Sequence, residues 1–138
     1  MVVELLHMVL LGGLLMTQKF IIKGKLPSLN DYINLCRGNK YGANQKKKIE
    51  QNRIALYMRD YKIHRVKDYP IKLKIDWFEK NNKRDADNIF FAVKFILDSM
   101  VEYGVIENDS RKYVSSIQNS VFTDKENPRI EVEILGGD

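Results

Sequence analysis

A chain of 138 residues with 44% apolar and 30% charged residues has the size of one domain and the balance of a folded globular protein. Its 23 Lys and Arg outnumber 18 Asp and Glu for a net charge of +5, and a basic surface invites a polyanionic partner. One cysteine and two histidines exclude an internal disulfide and a Cys-rich zinc site, so any metal would rest on oxygen ligands, which points to magnesium, manganese or calcium.

Residues 1–15, MVVELLHMVLLGGLL, are apolar apart from Glu4 and His7. The run is too short to span a membrane, which takes ~20 apolar residues, and it lacks the basic start and cleavage site of a signal peptide. Gly12-Gly13 shortly before Met16 can be encoded by a sequence like a bacterial ribosome-binding site. The expectation is that residues 1–15 are an extraneous extension, that Met16 is the native start, and that residues 16–138 form the domain. An extra helix packed on the core is the other reading. Nothing in the chain suggests membrane insertion, so the expected location is the cytoplasm.

The alternation of Phe20, Ile22 and Leu26 with lysines predicts a first strand, ended by Pro27-Ser28. Ser28 to Tyr32 reads as turn-rich, and Gly38 and Gly42 bracket an expected loop holding Arg37, Lys40 and Tyr41. A helix is predicted from about Asn44 to His64, with Ile54, Tyr57, Met58 and Tyr61 as its apolar stripe. Ile71, Leu73, Ile75 and Trp77 alternate with Lys72, Lys74, Asp76 and Phe78 in a second strand. A polar loop from Asn81 to Arg84 leads to a second helix from about Asp87 to Tyr103, stopped by Gly104. Tyr113 to Phe122 and residues 129–134 read as the last two strands. The order β-α-β-α-β-β predicts an α+β fold, one layer of two helices on a mixed sheet of about four strands.

Charge is segregated along the chain. From Arg37 to Lys67 ten basic residues face two acidic ones, a net +8, and from Asp85 to Asp109 six acids face only Lys94, a net −5. The first block is either a solvated helix face or a phosphate-binding surface. Its DNA-facing candidates are Arg37, Lys40, Tyr41, Lys46, Lys47, Lys48 and Arg53, joined by Lys83 and Arg84 before the acidic block.

The chemistry concentrates in K-R-D-A-D-N. Asp85 and Asp87 are two apart at a strand-to-helix junction, where i and i+2 side chains of an extended segment point the same way. Two such carboxylates repel unless a cation lies between them, and a hard divalent ion can be that cation. The alternative is a helix cap by Asp87, worth ~1 kcal/mol, which leaves Asp85 unexplained. On one continuous helix Asp87, Lys94 and Asp98 would fall within about 20° of a line, so Lys94 could lean toward the acidic end or pair with Asp98. Asp109 could fold back after Gly104 as a third carboxylate, or be an ordinary turn residue.

K-R-D-A-D-N, then K-F-I-L-D, then G-V-I-E-N-D, with L-P-S-L-N-D-Y at residues 26–32, resemble the RusA-type Holliday junction resolvases over most of residues 20–115. The resemblance implies Asp85, Asp87 and Asp109 as catalytic metal-binding carboxylates, supported by Asn88. The family lysine lies four after the second Asp, where this chain has Phe91. Aligning back from Asp98 and Asp109 carries that role to Lys94 and places three extra residues near Ile89 to Phe91. The resemblance further implies a Mg²⁺-dependent (or Mn²⁺-dependent) homodimer that nicks branched DNA in recombination and repair, often of phage or prophage origin. A non-catalytic nucleic-acid-binding module, or a nuclease for flaps or forks, are the competing readings. No EF-hand loop supports a calcium buffer.

Overall fold

The computed structural model describes residues 17–136. The expected extension at residues 1–15, and Met16 as a start, lie outside these. The elements are β1 (Thr17–Lys23), α1 (Leu29–Gly38), α2 (Lys40–Asp60), β2 (Ile71–Glu79), α3 (Ala86–Phe90), α4 (Val93–Glu102), β3 (Val114–Thr123) and β4 (Arg129–Leu135).

The four strands form one mixed sheet in the order β1-β4-β2-β3. The last strand of the chain pairs antiparallel with β1 on one side and with β2 on the other. β3 pairs parallel with β2 and forms an edge, as a crossover through helices requires. Period-two alternation decides the faces. Phe20 and Ile22 on β1, Ile130, Val132 and Ile134 on β4, and Leu73, Ile75 and Trp77 on β2 are all at most 1% exposed. Register places Phe20 opposite Val132 and Ile75 opposite Val132, so these side chains share one face. Ile54 and Met58 of α2, Ile89 of α3, and Phe95, Ile96 and Met100 of α4 complete the same core. The Trp77 indole donates to Asn119 Oδ1 at 2.9 Å. The other face carries polar pairs such as Lys19 with Glu131 at 2.9 Å.

The α+β class and the four strands are as the sequence predicts, but there are four helical segments among the described residues where two were expected. Ser28 does not open a turn. Its hydroxyl accepts from the Asp31 amide at 3.2 Å while the Asp31 carboxylate accepts from the Ser28 amide at 3.0 Å. That reciprocal box starts α1. The Ser28 amide holds the Asp31 carboxyl below its ordinary value, helped by the Ser28 hydroxyl and the charges of Lys25 and Arg84. Nor do Gly38 and Gly42 bracket a loop. Asn39 closes α1 and caps α2, accepting from the Tyr41 amide at 2.9 Å, so Lys40 and Tyr41 begin a helix.

The expected helix from Asp87 to Tyr103 is interrupted at Phe91-Ala92. Ala92 is buried. Phe91 turns toward α1, with its ring 5.4 Å from Tyr32 and 5.8 Å from Phe95. Asp87 and Lys94 therefore lie on two separate helical segments. The interruption falls beside the segment where the family resemblance requires three extra residues. No helix among the described residues is long and apolar enough to cross a membrane.

Candidate active site

The site begins with an inward-facing acid. Glu79 shares the parity of Ile75 and Trp77 on β2, and is only 8% exposed. A buried carboxylate needs a partner, and Arg84 supplies it. Its Nε donates to Glu79 Oε1 at 2.7 Å and its Nη2 to Oε2 at 3.0 Å. The same guanidinium donates from Nη1 to the Leu26 carbonyl at 2.9 Å. This planar fork ties the β2–α3 loop to the segment between β1 and α1. Arg84 is thus an internal anchor. Motif reading misses Glu79, although its place on the apolar parity of the strand is a legible signal.

The anchored loop delivers Asp85 and Asp87. Asp85, not Asp87, occupies the N-cap position of α3, and its side chain makes no capping hydrogen bond. Asp87 lies in the first turn, where its Oδ1 accepts only from the Asn88 amide at 2.9 Å. The capping alternative therefore accounts for neither carboxylate. Both are exposed, and neither they nor Asp109 form an ion pair among the described residues. Asn88 is half-buried.

Asp109 is positioned by a separate route. Gly104, at φ +77°, reverses the chain after α4. The Val66 amide bonds the Val105 carbonyl at 2.8 Å, and the Glu107 amide donates to the Tyr69 hydroxyl at 2.9 Å. The Asn108 side chain then accepts from the Asp109 and Ser110 amides, shaping the turn. Asp109 lines an open cleft of about 540 Å³ between α2 and α4, together with Lys94, Asp98, Lys47 and Lys48. Lys94 and Asp109 are brought together there, while Asp85 and Asp87 do not line this cleft. Among the described residues, no three of His, Cys, Asp or Glu stand close enough to hold a metal ion as a group.

Lys94 projects from α4 with 63% of its side chain exposed, its Nζ 3.8 Å from Asp98 Oδ2. Lys47 of α2 holds the same oxygen more closely, at 3.2 Å. The remaining DNA-facing candidates divide. Arg37, Lys40 and Lys83 are exposed, and so is Tyr41, at 68%. Lys46 pairs with Glu50 at 3.0 Å and Lys48 pairs with Glu102. Arg53 is bound to Glu50 at 2.8 Å and to the carbonyls of Lys23 and Lys25.

Residues 23–135 match the family described as Endodeoxyribonuclease RusA. No curated protein matches the chain.

Proposed function

The chain belongs to the RusA endodeoxyribonuclease family, and we propose that it is a Mg²⁺-dependent endodeoxyribonuclease that resolves four-way DNA junctions by paired nicks during recombination and repair. The observation that carries this reading is the pair of carboxylates at the anchored β2–α3 junction. Asp85 and Asp87 sit in the family's motif, and neither is consumed by capping or by a protein cation.

The donors fit a hard divalent ion in kind, since all three carboxylates offer free oxygens. Magnesium usually needs only one or two carboxylates from the protein, with water and substrate phosphate filling its shell. Asp85 and Asp87 would hold it, while Asp109 lines the separate cleft between α2 and α4. When bound, such an ion polarises a phosphate and acidifies a water. Lys94, with an exposed ammonium, would stabilise negative charge on the phosphoryl oxygens. Arg84 and Glu79 keep the carboxylate loop in place.

A homodimer belongs to this reading. A four-way junction has two-fold symmetry, and a two-fold dimer presents two equivalent sites to opposed strands. The exposed edge strand β3, with Ile117, Val121 and Phe122 partly bare, offers an unpaired edge of the kind that associates.

The deciding experiment is cleavage of a labelled four-way junction with Mg²⁺ by the native protein and Asp87→Asn in parallel. Symmetric nicks by the native protein, lost in Asp87→Asn with junction binding retained, support the proposal. Equal cleavage by both overturns the site. The separation of Asp109 from the Asp85–Asp87 pair favours, as a second reading, a binding module without catalysis. That reading predicts junction binding and no metal-dependent nicking by either protein. Flap and linear duplex substrates in the same assay separate junction resolution from other branched-DNA cleavage.

A further inference from the structure

A second open cleft, of about 470 Å³, is lined in part by the Arg84–Glu79 anchor. Three connections wall it: the turn after β1, with Gly24 and Lys25, the β2–α3 loop, with Lys80, Asn81 and Lys83, and the β3–β4 turn at Pro128. These walls are fastened to one another. The Gly24 amide donates to the Pro128 carbonyl at 2.9 Å, and the Asp124 amide donates to the Glu79 carbonyl at 2.7 Å. Thr123 Oγ1 donates to Asn82 Oδ1 at 2.8 Å, and Asn81 Oδ1 accepts from the Lys83 amide at 3.0 Å. Arg84 and Glu79, which also line the cleft, neutralise each other there.

What remains is an excess of positive charge. Lys25, Lys80 and Lys83 are exposed, and none of them forms an ion pair among the described residues. Lys83 and Arg84 immediately precede Asp85 in the chain, so the same β2–α3 loop that walls this cleft leads into the carboxylate pair. Three unneutralised ammonium groups around a preformed, open cleft suit a polyanionic chain that continues beyond the cleft at both ends.

We propose that this cleft seats the phosphodiester backbone of the DNA strand entering the site, through Lys25, Lys80 and Lys83. Lys25 and Lys80 stand outside the basic α2 block and outside the R-D-A-D-N segment. The proposal rests on the junction-cutting reading for its choice of DNA as the polyanion. Each phosphate neutralised releases counterions, so log K falls with log salt by about 0.9 per contact on duplex DNA.

The test is a salt titration of four-way-junction binding in Ca²⁺, without cleavage, for the native protein and for Lys25→Gln/Lys80→Gln/Lys83→Gln. The triple variant is expected to bind at least tenfold more weakly at about 0.1 M salt, with a slope shallower by about 2 to 3. The matching Arg triple restores the slope, because the contact needs charge alone. Thermal unfolding of both triples, unchanged from the native protein, excludes a folding defect. Native slope and affinity in the Gln triple would overturn the cleft while leaving the junction reading intact. Saturable binding of inorganic phosphate that the Gln triple loses, with junction binding unchanged, marks a small-anion site and also overturns it. A native protein that binds no DNA overturns both readings.

Discussion

The basic face of α2 and the cleft lined by the Arg84 anchor invert the ranking that the sequence suggests. The α2 segment has the denser run of cations, yet Lys46, Lys47, Lys48 and Arg53 are each held by a carboxylate of the same molecule: Glu50, Asp98, Glu102 and Glu50 again. The cleft has three scattered lysines from two distant segments, and all three are free of ion pairs among the described residues. The field a DNA strand meets depends on which charges have no partner, and linear density is a poor guide to that.

The largest way to disturb this contrast is at the floor of the cleft. Arg84 and Glu79 are 17% and 10% exposed at their side chains, so Arg84→Ala leaves a buried carboxylate alone and should cost about 3–5 kcal/mol in urea unfolding. Replacing both residues by Met should cost far less, because no uncompensated charge remains. Next comes Lys94, on the α2 side. Lys94→Ala should lower kcat by about 10²–10³ if its ammonium meets the phosphoryl oxygens, with junction affinity little changed. Equal loss of affinity and rate would instead place it among the binding cations.

Between the two regions lies the capping box of α1. Ser28→Ala should cost about 1 kcal/mol in thermal unfolding. The Asp31 carboxyl titrates below its ordinary value when folded, so the unfolded chain takes up protons first on acidification. The stabilisation is full above the ordinary carboxylate value of about 4 and fades as pH falls through the depressed one. Asp31→Asn should flatten the stability–pH curve in that acid window. The smallest effect belongs to the α2 face. Lys46→Ala, removing a half-exposed partner of Glu50, should change stability by less than about 1 kcal/mol and leave the salt dependence of DNA binding nearly unaltered.

Legibility in the sequence tracks how local each interaction is. Strand β2 is legible because alternation acts between neighbours, and its buried set is the one alternation predicts. The start of α1 is easily misread because Ser-Leu-Asn-Asp suits a turn as well as a capping box, and the choice rests on whether the next two turns of chain can pack as a helix. The break at Phe91-Ala92 is half legible, as a need for three extra residues without the means of accommodating them. The roles of Arg84 and Arg53 are not legible. Arg84 answers to the Leu26 carbonyl, 58 residues away, and Arg53 to the carbonyls of Lys23 and Lys25. Asp85 and Asp87 stand out because their pairing is a matter of two nearby positions, whereas the place of Asp109 depends on the Gly104 reversal and the Tyr69 tether.

Strand β4 is the last element made and yet lies between β1 and β2. Its pairing of Thr17 with Leu135 spans more than a hundred residues, a long loop to close before any reward arrives. A nascent chain ending before Arg129 would contain every carboxylate and lysine of the site but no partner to join β1 to β2. The Arg84 fork, which bridges the β1 side to the β2 side, would then have nothing to hold together. Every segment from β1 onward must therefore be in place before the sheet that positions the site can close.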